Sequence, residues 1–200
     1  MNHAIEYFSR QFDRQIHAAD YTLNDFERLA LRYLDGEVLD LGCGMGNLSV
    51  AAAERGHAVT AYDACGAAIA DLQRRASARA LPVVAQRADL SGWSAGRTWD
   101  SVVSIGLLMF LDCGAAGRLI DEIERAVRPG GVCVLNVCIQ GTTFMAMFDD
   151  RARCLFEPDA LLRRFASWHV LEHRIDDYAS VEPGRIKRFA TLVARRPRLV

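Results

Sequence analysis

Val38-Leu39-Asp40-Leu41-Gly42-Cys43-Gly44-Met45-Gly46 decides the fold of this chain. A largely apolar run carrying one acid leads into three alternating glycines, and Asn47-Leu48-Ser49-Val50-Ala51-Ala52-Ala53 reads as a helix start. The pattern predicts a strand, a tight turn and a helix N-terminus. Glycine permits unusual backbone angles and lets a ligand approach the main chain. The helix start adds N–H groups without intrahelical partners. A dinucleotide-binding turn would read G-x-G-x-x-G, but the third glycine comes one residue early and position 47 is Asn. Asp40 stands two residues before the first glycine, poorly placed for a pyrophosphate and well placed for a cationic amine. The alternative is a plain glycine-rich turn.

Two hundred residues suit one domain, 1–200, with 1–35 as a helical N-terminal cap. A hydrophobic share of 51% supplies a buried sheet, and a net charge of −1 gives no global attraction for nucleic acid. The six cysteines include no C-x-x-C pair. Neither disulfides nor a metal site is expected, and a reducing cytoplasm is the default location. The N-terminal residues show no signal-peptide core. The most apolar segment, 102–111, is too short to cross a bilayer.

Outward from the glycine turn, His57 to Asp63 reads as a second strand ending in an acid. A carboxylate at that strand tip can accept two ribose hydroxyls; the alternative is a helix cap. A helix follows over 67–79, then a short strand over 82–86 and Arg87-Ala88-Asp89-Leu90. Trp99 to Ile105 is a buried strand of the parallel-sheet type. Met109 and Phe110 follow its C-terminal edge, where open α/β sheets bind ligands. Helix 114–127 is to end at Arg128-Pro129-Gly130-Gly131, and 132–138 is strand five. Residues 139–156 form a long connection with Phe144, Met145, Met147 and Phe148 as a candidate apolar wall. A short helix to Phe165 precedes an alternating strand over 168–175, which puts His169 and His173 on one face. The last strand is 188–194, and 176–187 connects the two. Before the glycine turn, residues 3–18 make an amphipathic helix, and Asn24 caps a second helix through Leu34. Both either form a lid or pad the sheet, and Tyr21 between them is a candidate pocket residue.

D-x-G-x-G-x-G at 40–46, Asp63, Ala88-Asp89-Leu90 and Pro129-Gly130-Gly131 together resemble class I S-adenosylmethionine methyltransferases. The resemblance implies a Rossmann-like α/β sheet of seven strands, order 3-2-1-4-5-7-6, with strand seven antiparallel and helices on both faces. It implies S-adenosylmethionine as cofactor and S-adenosylhomocysteine as product. The cofactor residues it implies are Asp40, Gly42, Cys43, Gly44, Asn47, Asp63, Ala64, Asp89, Leu90 and Ser104, with Asp89 on the adenine amine. Met109-Phe110-Leu111, Phe156-Glu157 and Arg185-Ile186-Lys187 with Phe189-Ala190-Thr191-Leu192 look like the tellurite-resistance methyltransferase family. That family moves a methyl to tellurium or selenium oxyanions. Its usual His-Arg pair is replaced here by Asp177-Tyr178-Ala179-Ser180, and the spacing from Arg-Ile-Lys to Phe-Ala-Thr is one residue short.

No motif announces a general base, which favours a soft or anionic acceptor, an oxyanion or a thiol, over a neutral hydroxyl. Arg185, with Lys187 beside it, is the candidate to orient an anion, and Met109 and Phe110 are to line the pocket. A non-catalytic S-adenosylmethionine-binding module, and an O- or N-methyltransferase of a small metabolite, are the competing readings. No N-P-P-Y-like tetrapeptide follows strand four, so nucleic acid is not the expected acceptor. No membrane partner is expected, and the chain is read as a monomer or homodimer.

Overall fold

The computed structural model describes residues 3–149 and 152–198; Asp150 and Arg151 of the long connection lie outside it. Seven strands form one sheet: β1 Val38–Leu41, β2 Val59–Asp63, β3 Val83–Arg87, β4 Trp99–Ile105, β5 Val127–Cys138, β6 His169–Ala179 and β7 Ile186–Arg195. Their order is β3-β2-β1-β4-β5-β7-β6. The first five run parallel, and β7 is antiparallel to both neighbours. The order reverses beside β1, so the crevice at the strand tips opens over the glycine turn.

Helices α1 His3–Ala18, α2 Asp25–Ala30, α3 Asn47–Glu54, α4 Gly66–Ala78, α5 Cys113–Ala126 and α6 Ala160–Arg164 surround the sheet. The central strands are apolar on both faces because both are covered. Leu119, Ile120 and Ile123 of α5 and Leu161 of α6 pack with Leu39, Leu135 and Leu192. Ala30 of α2, Leu48 and Ala52 of α3, and Ile69 and Leu72 of α4 pack with Val38, Val103 and Val134 on the opposite face.

Several boundaries move. Helix α2 stops at Ala30, although Asn24 and Glu27 cap it reciprocally at 2.8 and 2.9 Å. Tighter turns carry the chain through Tyr33. Pro129-Gly130-Gly131 lies inside an early-starting β5. A Cβ on Gly131 would stand 2.6 Å from the Asp100 carbonyl oxygen, so glycine is required where β5 joins β4. Strand β6 reaches Ala179, which shortens the hairpin connection to 180–185. Its register shifts between Val170 and Glu172. That bulge reverses the alternation, so His169 and His173 do not share a face.

The cysteines correct the sequence reading outright. Cys113, at the start of α5, and Cys154, in the connection after β5, form a disulfide spanning 41 residues of sequence. No local spacing marks the pair; the long connection folding back onto α5 creates it. The expectation of a reducing compartment loses its support from unpaired cysteines.

Candidate functional site

The motif glycines shape the floor of a cavity of about 460 Å³ at the strand tips. Gly42 (φ +75°) passes so close to Leu107 that a Cβ would lie 2.8 Å from the Leu107 Cβ. Gly44 (φ +53°) lies under Phe12 of α1, whose ring tip would meet a Cβ at 3.0 Å. Both positions need the left-handed region, which glycine adopts without penalty. Gly42 and Cys43 donate their N–H groups to the Tyr62 carbonyl at 2.8 and 3.0 Å, tying the turn to β2.

Asp40 sits on β1 and is buried. Ser49 of α3 donates a 2.6 Å hydrogen bond to its Oδ2. Burial outweighs that bond, and with Glu27 and Asp63 nearby it pushes the carboxyl up to about 7. Asp63, at the tip of β2, accepts from the Gly44 N–H at 2.8 Å and the Cys65 N–H at 2.7 Å. It therefore braces the glycine turn as well as facing the cavity, and burial raises its pKa despite those bonds. Burial also drives the Cys43 thiol well up, which keeps it neutral. Asn47 opens α3, and its buried Oδ1 has no partner.

Asp40, Gly42, Cys43, Gly44, Asn47, Asp63, Ala64, Asp89 and Leu90 all line this cavity. Asp89 also accepts from the Ser91 N–H at 2.9 Å, which fixes its loop. Ser104 is the exception. Its register partner is Leu135, so its side chain lies on the α5 face, buried and without a hydrogen bond. Its neighbours Ile105, Gly106 and Leu107 line the cavity instead.

Met109 and Phe110 form the opposite wall in a single 3-10 turn, Leu108–Phe110. Phe8 of α1 meets the Phe110 ring at 4.9 Å, and Phe148 meets it at 5.2 Å from behind. Helix α1 thus lies over the opening, with Tyr7, Phe8, Gln11 and Phe12 turned to the cavity. Tyr21 is not a pocket residue. Its ring stacks under the Arg75 guanidinium at 4.2 Å, and its hydroxyl faces Asp71 at 3.4 Å. Arg75 also donates to the Met45 carbonyl, linking the segment after α1 to the glycine turn.

Arg185 does not reach the cavity wall. It is exposed, and its main chain closes the β6–β7 turn through Ser180 and Glu182. Lys187, two residues on, does line the cavity, with its Nζ 5.7 Å from the Phe144 ring centre. The strand boundary explains the difference: Arg185 lies in the turn before β7 begins, whereas Lys187 lies within β7 and shares a face with Phe189, which also lines the cavity. Sequence reasoning missed Glu27 and Asn136 as cavity residues. Asn136 had a signal, because it is the one non-apolar side chain in the run 132–138.

A family model described as a methyltransferase domain matches residues 38–131. Over those residues the chain carries a methyltransferase domain, and its strand order is that of the class I methyltransferase fold. It is similar to hemagglutinin 1 of Eikenella corrodens, 25% identical over 169 residues, 80% of this chain and 55% of that protein. It is also similar to the probable S-adenosyl-L-methionine-dependent methyltransferase TehB of Haemophilus influenzae, 27% identical over 175 residues, 80% of this chain and 57% of that protein. The chain spans little more than half the length of these relatives. The crystal structure of TehB from Haemophilus influenzae superposes with a TM-score of 0.77 at 20% identity, covering 96% of this chain and 67% of that one. The tellurite-resistance likeness read from residues 109–111, 156–157 and 185–192 agrees with this. Among the described residues no helix is long and apolar enough to cross a membrane.

Proposed function

We propose that the chain binds S-adenosylmethionine in this cavity and transfers its methyl group to a small, soft, anionic acceptor. The charge layout carries the reading. Glu27, Asp40, Asp63 and Asp89 line the cavity, and Lys187 is the one Lys or Arg among the described residues that does. The carboxylates from β1, β2, the loop after β3, and α2 suit a cationic cofactor. Lys187, beyond β5, suits an anion. The unpartnered Asn47 Oδ1 at the cofactor end awaits a donor.

Bound S-adenosylmethionine supplies a methyl already made electrophilic by its sulfonium. The protein's task is alignment, and positioning alone supplies much of a barrier reduction. Asp63 and Asp89 would hold the ribose and adenine, and Asp40 the amine. Met109, Phe110 and Met147 exclude water from the transfer path. A selenium or tellurium oxyanion, or a thiolate, offers a polarizable lone pair and needs no positioned base.

The test is an acceptor panel of selenite, tellurite, a small thiol and a catechol, detecting S-adenosylhomocysteine. Turnover of an anion is expected, and Lys187→Ala is expected to raise its KM about tenfold with S-adenosylhomocysteine affinity within about twofold of the parent. Turnover of catechol alone would replace this reading with a metabolite O-methyltransferase. Cofactor binding without turnover of any acceptor would leave a binding module.

A further inference from the structure

Asn136 interrupts the apolar run of β5 and is 0% exposed. Its Nδ2 donates to Thr191 Oγ1 on β7 at 2.9 Å. Its Oδ1 is buried with no hydrogen-bond partner. Its main-chain carbonyl is already used by the Gly106 N–H at 3.1 Å. A buried amide oxygen left unpaired costs about 1–3 kcal/mol, so a donor reaching it from the cavity would recover that cost.

The strand register says where that completion comes from. Asn136 pairs with Ile105 on β4 and with Thr191 on β7, so these side chains share one sheet face. Alternation puts Phe189 and Lys187 on the same face as Thr191. Asn136, Ile105, Phe189 and Lys187 all line the cavity. They lie on the β4-β5-β7 side, away from the carboxylates over β1, β2 and β3. This is the end that a methyl acceptor would occupy.

We propose that Asn136, held by Thr191, accepts a hydrogen bond from an O–H or N–H donor on the methyl acceptor, whose negative charge Lys187 attracts from the same face of the cavity. The acceptor class is then a small monoanion that retains a proton, such as a hydrogen oxyanion, and not a bare thiolate. The proposal rests on the methyl-transfer reading above and narrows its substrate. A carbonyl oxygen and an ammonium lining one face of the same cavity recognise that combination: one needs a donor, the other an anion.

The experiment compares the parent with Asn136→Leu/Thr191→Val, which removes both partners together, and with Asn136→Ala. Steady-state kinetics on selenite, calorimetry with S-adenosylhomocysteine and thermal melts are run on each. Replacing both members of a buried polar pair by apolar groups is close to neutral for stability. The expected double variant therefore melts near the parent, binds S-adenosylhomocysteine within about twofold, and shows a KM for selenite raised about tenfold or more. Parental KM in the folded variants overturns the proposal. So does a matched loss on a thiolate acceptor, which has no donor to offer. Failure of both variants to fold makes Asn136 a structural amide and also overturns it. A parent that binds S-adenosylhomocysteine yet methylates no anion overturns the function reading first and this one with it; an active parent with equally active variants overturns this one alone.

Discussion

Asp40 concentrates the residue-scale chemistry, because one carboxyl is asked to be buried and to meet a cation. Burial raises its pKa from 3.8 to about 7. Between those values the folded protein holds a proton that the unfolded chain has lost, so ligand-free stability falls as pH rises through the window. A bound cationic amine acts in the opposite sense, because it favours the carboxylate. S-adenosylhomocysteine affinity should therefore strengthen with pH, by up to about tenfold per unit below pH 7, and level off above it. Calorimetry across this range checks the slope, and Asp40→Asn should flatten it; a parent affinity independent of pH would show that the amine does not meet Asp40. Asp40 was legible in the sequence because its distance from the glycines is a local fact. Ser104 was misplaced because its position along β4 was right but its face depends on which neighbour packs there. His169 and His173 failed for a related reason: a single extra residue in β6 reverses the alternation, and nothing in the local sequence marks it.

At the scale of elements, the walls of the site come from segments that the sequence placed correctly but could not join. The apolar connection after β5 was legible as a candidate wall, and Met147 from it does line the cavity. What fixes it there was not legible. Thr142 and Thr143 bond to β7 through Arg188 and Ile186. The Cys154 N–H donates to the Met109 carbonyl at 3.0 Å, and the disulfide to Cys113 fastens the same stretch to α5. Each tie links residues tens of positions apart. A cross-link closing a loop of this length stabilises by about 2–4 kcal/mol, largely by restricting the unfolded chain. Cys113→Ser/Cys154→Ser should thus unfold at lower denaturant than the parent under non-oxidising, non-reducing conditions by about that free energy, and a thiol reductant should bring the parent down to meet it. Equal midpoints for parent with and without reductant would show that the strap carries no stability.

For the whole molecule, the strand order was legible only through the family likeness, since alternation of strands and helices alone yields α/β without an order. The assembled order has a mechanical consequence. The sheet tips, the 3-10 turn and the post-β5 connection are bound to a core buried on both faces, whereas α1 lies across the cavity with Ala4 as its buried residue. Its other apolar side chains are half-buried, Tyr7 and Phe8 in the cluster with Phe110, and Phe12 and Ile16 in the cluster with Met45 and Cys65. An element at the edge of the molecule with one fully buried residue opens at a free energy below that of global unfolding. A ligand filling the cavity touches α1, the glycine turn and β4 together, so it links the weakest element to the strongest. Saturation at about a hundred times Kd adds about 2.7 kcal/mol, which for a chain of this size raises Tm by about 5–10 °C. Hydrogen exchange should locate the gain unevenly. Amides of α1 should exchange fastest without ligand and slow the most when S-adenosylhomocysteine binds. Those of β4 and β5 should change only as far as global stability does. Uniform protection across the chain, or an α1 already as protected as β5 before ligand is added, would mean that α1 is fixed padding on the sheet and that ligand enters without moving it.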